Sequence, residues 1–218
     1  MQTFLPLLLV MVPVLAVACF ALVYLRQRRR VRRLADRARE AGMSFSRDDV
    51  FELPVRYAGM ALVGGGHSPW AANVTHGQFE GLAVRSFDLR LEAGHGPRRL
   101  LRQYAVTVVE TGGPLSELIL WNSRFAEDAP LQARRVDGKA GEWAFRGPAP
   151  SAETLAEACE GLESRLVCLQ LHGGALLAAA VTAKRLDYGL SADELAGLVR
   201  AVRKLHCPGG SASLCAKA

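Results

Sequence analysis

Five cysteines occur in the 218 residues, and no two of them stand as C-x-x-C. That spacing leaves the zinc signal weak and rules out a disulfide-dense small scaffold. Also missing are H-E-x-x-H, the G-x-S-x-G nucleophile elbow, the G-x-x-x-x-G-K-[ST] phosphate loop and G-x-G-x-x-G. Their absence removes the standard signals for metalloproteases, α/β-hydrolases and nucleotide binding. No calcium-loop pattern surrounds Asp48, Asp49 and Glu52, or the pair Glu127-Asp128, whose spacing is that of solvated caps and turns. No internal repeat of fixed period appears, so a solenoid is not expected. The sequence therefore names no catalytic residue, no metal ligand and no cofactor.

What is present begins at the N-terminus. From Phe4 to Leu25, 22 consecutive residues carry no charge. As a helix they extend roughly 33 Å, enough for a hydrocarbon core of about 30 Å. Pro6 falls in the first turn, and Pro13, mid-helix, is expected to kink or loosen it. Arg26, Arg28, Arg29, Arg30, Arg32 and Arg33 follow at once, whereas Met1-Gln2-Thr3 has no charged side chain. The asymmetry predicts a single-pass protein of a bacterial inner membrane with its C-terminal domain in the cytoplasm. A cleaved signal peptide would need a basic stretch before the apolar run. Ala16-Val17-Ala18-Cys19 loosely matches a lipidation site, and an exported lipoprotein binding an envelope ligand is a rival reading. Against it, Cys19 is followed by more apolar residues and then by arginines.

Charge bookkeeping separates anchor from domain. Residues 26–40 hold eight of the 27 basic residues and two of the 21 acidic ones, leaving 19 of each elsewhere. The formal charge of +6 is thus wholly juxtamembrane. A nucleic-acid-binding fold would carry its excess within the domain, so nucleic acid is excluded as a partner. The stop-transfer role accounts for the arginine cluster in full. Attraction of anionic lipid headgroups, at about 1 kcal/mol per side chain, is the second reading.

Beyond the anchor (residues 1–25), residues 26–42 read as a basic juxtamembrane stalk, a helix stopped by Gly42. Residues 43–206 read as one soluble α+β domain, and 207–218 as a flexible tail. Within the domain, Met43 to Tyr57 is a docking segment with a short strand or turn, and Gly64 to Pro69 a loop. Asn73-Val74-Thr75 and Leu82 to Leu91 form a hairpin turning around His76-Gly77-Gln78, with a change of face or a bulge near Arg85. Tyr104 to Glu110 and Leu115 to Trp121 extend it as a meander, and Glu142 to Arg146 adds a short strand. Ser151 caps a helix carrying Leu155, Ala158, Cys159, Leu162 and Leu166 on one face. Val167 to Leu171 and Leu176 to Ala183 pair through Gly173-Gly174, whose positive φ suits a tight turn. The capping box Ser191…Glu194 opens a last helix with Leu195, Leu198, Val199, Val202 and Leu205 on one stripe. The expected architecture is a largely antiparallel sheet with helices packed on one face.

Asn73-Val74…Gly77…Gly81…Val84…Phe87-Asp88, with the later Trp121-Asn122-Ser123-Arg124-Phe125, resembles a group of uncharacterised bacterial single-pass membrane proteins. These have an N-terminal anchor and a soluble domain with an N-V-x-x-G-x-x-x-G-x-x-V-x-x-F-D hairpin. The resemblance implies an architecture and a membrane-anchored role with no reaction attached. It gives Asn73, Gly77, Gly81, Phe87 and Asp88 structural parts: turn and close approach for the glycines, inward packing for Phe87, capping or pairing for Asp88.

Two functional classes remain. The first is a non-enzymatic protein whose cytosolic domain binds a protein partner or self-associates near the bilayer. The second is a membrane-tethered hydrolase using His67, Ser68 and Asp88, which requires the three to converge in one cleft. Cys159 and Cys168 are expected as reduced core fillers. His67, His76, His95, His172 and His206 are expected mostly in loops or turns.

Overall fold

The computed structural model describes residues 4–94, 96, 99–128, 136–160, 165–181 and 191–206. Helix α1 runs unbroken from Phe4 to Glu40, through Pro13. It is long and apolar enough to cross a membrane. Gly42, at φ 68°, ends it: the Gly42 amide donates to the Arg39 carbonyl and the Met43 amide to that of Ala38. A glycine adopts this left-handed cap without the Cβ clash that other residues meet. The cap reverses the chain into strand β1 (Ser44–Asp48).

Two short helical turns follow, α2 (Leu53–Arg56) and α3 (Ala61–Gly64). The Asp49 carboxylate accepts hydrogen bonds from the amides of Phe51 at 3.0 Å and Leu53 at 2.8 Å. Then come β2 (His67–Phe79), β3 (Leu82–Ala93), β4 (Leu100–Glu110) and β5 (Leu118–Asn122). A 3-10 turn over Ser123–Asp128 leads on to β6 (Gly138–Ala140), β7 (Trp143–Arg146) and α4 (Ala149–Ala158). The last elements are β8 (Leu166–His172), β9 (Ala175–Val181) and α5 (Ala192–His206). All nine strands join one antiparallel sheet in the order β1-β2-β3-β4-β9-β8-β5-β7-β6.

The fold is α+β, with a long apolar helix ahead of the sheet. α4 and α5 lie on one face, where Leu155, Leu198 and Val202 join Leu120, Leu169 and Leu176 in a buried cluster. The α5 stripe is the expected one, and Ser191 and Glu194 form the expected capping box: the Ser191 amide donates to the Glu194 carboxylate and the Glu194 amide to the Ser191 hydroxyl. The opposite face is covered by α2, α3 and the link between them, where Leu53, Tyr57, Met60 and Val63 pack on Phe87, Leu89, Val106 and Leu177.

Several local expectations change. The hairpin does not turn at His76-Gly77-Gln78; β2 continues to Phe79 and turns through Glu80 and Gly81, at φ 49° and 81°. Positive φ at both central residues is the two-residue turn that matches strand twist. Gly77 is needed for close approach instead, because a Cβ there would meet Met43 Cγ at 3.0 Å. Two irregularities lie in β2, between His67 and Trp70 and between Ala72 and Thr75, and none lies near Arg85. Between the pairs Ala72–Asp88 and Thr75–Ser86, β2 holds one residue more than β3, and Asn73 sits at φ 53°. His67 to Pro69, expected in a loop, begins β2. β5 does not extend the meander: the β8–β9 hairpin, turning on Gly173 and Gly174 as expected, inserts between β4 and β5. Ser151 caps nothing, since α4 starts at Ala149 behind Pro148, and Leu166 opens β8 rather than ending a helix. Leu162, Ala183, His95 and the tail with Cys207 and Cys215 lie outside the described residues.

Candidate functional site

The arginines after the apolar run divide into two groups. Arg26, Arg28, Arg29, Arg32 and Arg33 are exposed, while Arg30 is 9% exposed. On a helix, one residue in every three or four shares a face, and Arg30, Leu34 and Ala38 form the stripe turned to the sheet. Arg30 Nη2 lies 2.5 Å from Asp88 Oδ2, a salt bridge across 58 residues of sequence. Asp88 also accepts 2.7 Å from Asn73 Nδ2. The β2 bulge explains the geometry: it puts Asn73 in the left-handed region, which Asn tolerates better than most residues, and turns its amide toward the neighbouring strand. Asn73 and Asp88 thus come together with one basic-cluster residue, while Phe87 points to the other face and stacks on Tyr57.

Below this junction α1 and the start of α5 flank a cleft of about 640 Å³. Its floor carries Asn73, Thr75, Ser86 and Asp88, and its walls include Leu34, Ala38, Met43, Phe79 and Leu195. Ser86 and Thr107 hydroxyls meet at 2.9 Å beside it. Arg165 pairs with Glu194 at 2.7 Å on the rim. A lining that mixes apolar residues with polar and charged ones such as Arg37, Glu40 and Thr75 suits an amphipathic segment, whose polar edge finds partners and whose apolar face is buried.

A second polar cluster, absent from the sequence reading, lies on the opposite face. Glu110 Oε1 is 2.5 Å from Arg85 Nη1, 3.0 Å from Arg56 Nη2 and accepts 2.8 Å from the Tyr57 hydroxyl. Burial alone would raise the Glu110 pKa, but the hydrogen bonds from Arg85 and Tyr57 and the arginine charges bring it below its ordinary value. Tyr57 is pushed up to about 12 by burial, then by its hydrogen bond to Glu110 and the carboxylate's charge. Arg85 sits in the row of Phe87, Leu89 and Leu91, and Glu110 in that of Tyr104, Val106 and Val108. One charge in each of two apolar alternating rows was the available signal. The cluster orients α2 on the sheet rather than presenting a reactive group.

The hydrolase residues do not converge. His67 pairs opposite Glu92, whereas Asp88 pairs opposite Ala72. Four residues of β3 separate the two positions, about 13 Å, and Asp88 is held by Arg30 and Asn73. Among the described residues no group of three His, Cys, Asp or Glu is placed to hold a metal ion. Cys159 and Cys168 are buried thiols, as expected, and burial pushes the Cys168 thiol up, away from reactivity. Cys19 lies within α1. In the Trp121-to-Phe125 motif, the Trp121 indole donates to the Phe125 carbonyl at 2.7 Å, and Asn122 Oδ1 accepts from the Arg124 amide at 3.0 Å. That motif is a strand terminator.

No protein-family model matches the chain, and no curated protein matches it in sequence. The crystal structure of the mycobacterial trehalose monomycolate transport factor A, TtfA, is similar in fold, with a TM-score of 0.54 at 16% identity. The match covers 80% of this chain and 91% of that one.

Proposed function

We propose that this is a non-enzymatic, single-pass inner-membrane protein whose cytoplasmic α+β domain docks a protein partner at the bilayer surface, with self-association as the form such docking takes if the partner is a second copy. The observation that carries the reading is the buried Arg30–Asp88–Asn73 tie. It joins the membrane helix to the sheet and presents the cleft at a fixed height and orientation. Similarity in fold to a protein described as a transport factor supports a non-enzymatic role. The buried Asp88 and the partly buried Glu110 support the same view, since each is paired with arginine.

Photocrosslinking in cells tests this reading, with the reactive group placed at Arg37 and at Glu40 on the cleft rim of the full chain. The expected result is a discrete adduct, either with a second protein or at twice the chain's mass, that disappears on Thr75→Arg. Turnover of a substrate by the full chain in bilayers, abolished by that same cleft substitution, would overturn it.

A further inference from the structure

The direction of α1 relative to the strands sets the height of every strand residue above the bilayer. Arg30 touches Asp88, and Met43, just past the helix end, packs against Gly77, which pairs with Val84. From Arg30 to Glu40 the helix rises about 15 Å. From Asp88 to Val84 the strand covers about 13 Å. The near equality means that α1 runs alongside β3, its N-terminal direction being the direction from Val84 through Asp88 to Ala93.

Extending that ruler toward the membrane gives the depth of the sheet's end. Trp70 pairs with Arg90, two residues beyond Asp88 and so about 7 Å further along. That is the level of Arg26, the edge of the apolar run. Leu101 and Leu100 pair with Glu92 and Ala93, about 13 to 17 Å beyond Asp88. That level falls near Phe20, inside the apolar run.

The residues at this end have the chemistry of that depth. Trp70 is 52% exposed, with the Arg90 guanidinium 5.1 Å from its ring centre. Leu100 is 56% and Leu101 64% exposed. Consecutive strand residues point to opposite faces, so two exposed leucines in succession mean that neither face of the strand is covered there. Arg99, paired with Glu92 at 3.4 Å, adds a cation beside them. Tryptophan favours the headgroup level, leucine the acyl boundary, and arginine reaches phosphate.

We propose that the β2–β3–β4 end carrying Trp70, Leu100 and Leu101 inserts into the interface of the same bilayer that α1 crosses, giving the domain a second point of membrane attachment. The proposal rests on α1 being the membrane anchor, and the two are separable by experiment. Full-length protein is reconstituted in phosphatidylcholine–phosphatidylglycerol vesicles whose acyl chains are brominated near the headgroup end. Flotation with the vesicles reports on α1. Bromine quenching of tryptophan emission reports on the sheet end, because Trp121 and Trp143 are only 2% and 1% exposed. The expected result is flotation with a quenchable component that vanishes in Trp70→Phe and is reduced severalfold in Leu101→Glu, with thermal unfolding of Leu101→Glu unchanged. Flotation without a Trp70-dependent component overturns the proposal and leaves the anchor standing. Crosslinking of two copies through position 101 in place of quenching overturns it in favour of a dimer contact. Failure to float overturns both.

Discussion

Arg30 and Asp88 meet at 2.5 Å, one on the long N-terminal helix α1 and the other in the middle of β3, both largely shielded from water. A buried pair of this kind adds little net stability over a well-packed apolar pair, but it is costly to break from one side. Asp88→Ala is therefore expected to destabilise the full chain by about 3–5 kcal/mol, because Arg30 is left charged and buried. Arg30→Leu combined with Asp88→Leu should recover most of that loss. Denaturant unfolding in detergent micelles measures both, and equal instability of the single and double variants would contradict the pairing.

Asn73 contributes a backbone and a side chain, and two substitutions separate them. Asn73→Gly keeps the left-handed bulge and loses the hydrogen bond to Asp88, a cost of about 1 kcal/mol. Asn73→Ala loses the bond and also strains the backbone, adding roughly 1–2 kcal/mol. Alanine should thus be the worse replacement in equilibrium unfolding, the reverse of the usual helix or strand order.

The two motif glycines should fail for different reasons. Gly81→Ala meets no atom within 4 Å but must hold φ near 81°, which costs about 1–2 kcal/mol with no rescue available from a neighbour. Gly77→Ala carries no positive φ and instead presses on Met43. Met43→Ala, which removes the Cγ contact at 3.0 Å and keeps Cα and Cβ at 3.3 Å, should rescue Gly77→Ala in part and leave Gly81→Ala unimproved, as a double-mutant cycle will show.

The Glu110 cluster sets a pH dependence at both ends. Glu110 has a folded pKa below its ordinary 4.5, so its stabilisation is present above that value and is lost as pH falls through the lower folded value. Tyr57 has a folded pKa of about 12 against an ordinary 10.0. Its stabilisation is complete below pH 10 and is lost as pH rises toward 12, where the unfolded chain ionises first. Tyr57→Phe should flatten the alkaline limb, and Glu110→Gln the acid limb, of a plot of unfolding midpoint against pH.

The long apolar N-terminal helix, the α5 capping box and the Gly173-Gly174 hairpin were all legible because each is a local pattern with one physical solution. Gly77 was misread because a glycine needed for close packing and one needed for a turn look alike until the neighbour is known, and Met43 lies 34 positions away. The β8–β9 insertion and the Arg30–Asp88 pair were hidden for the same reason: partner choice across distant sequence is decided by the assembled sheet. Periodicity did expose the raw material, since Arg85 and Glu110 interrupt apolar rows. It could not say that the interruptions point at each other.

A rigid joint between anchor and domain is the claim on which the functional account depends. Pulsed dipolar spectroscopy on the full chain in nanodiscs measures it directly, with nitroxide amino acids at Arg33 on α1 and at Lys139 on the far edge of the sheet. The account predicts one narrow distance distribution that broadens on Asp88→Asn. A broad distribution in the wild-type chain, unchanged by Asp88→Asn, would contradict it.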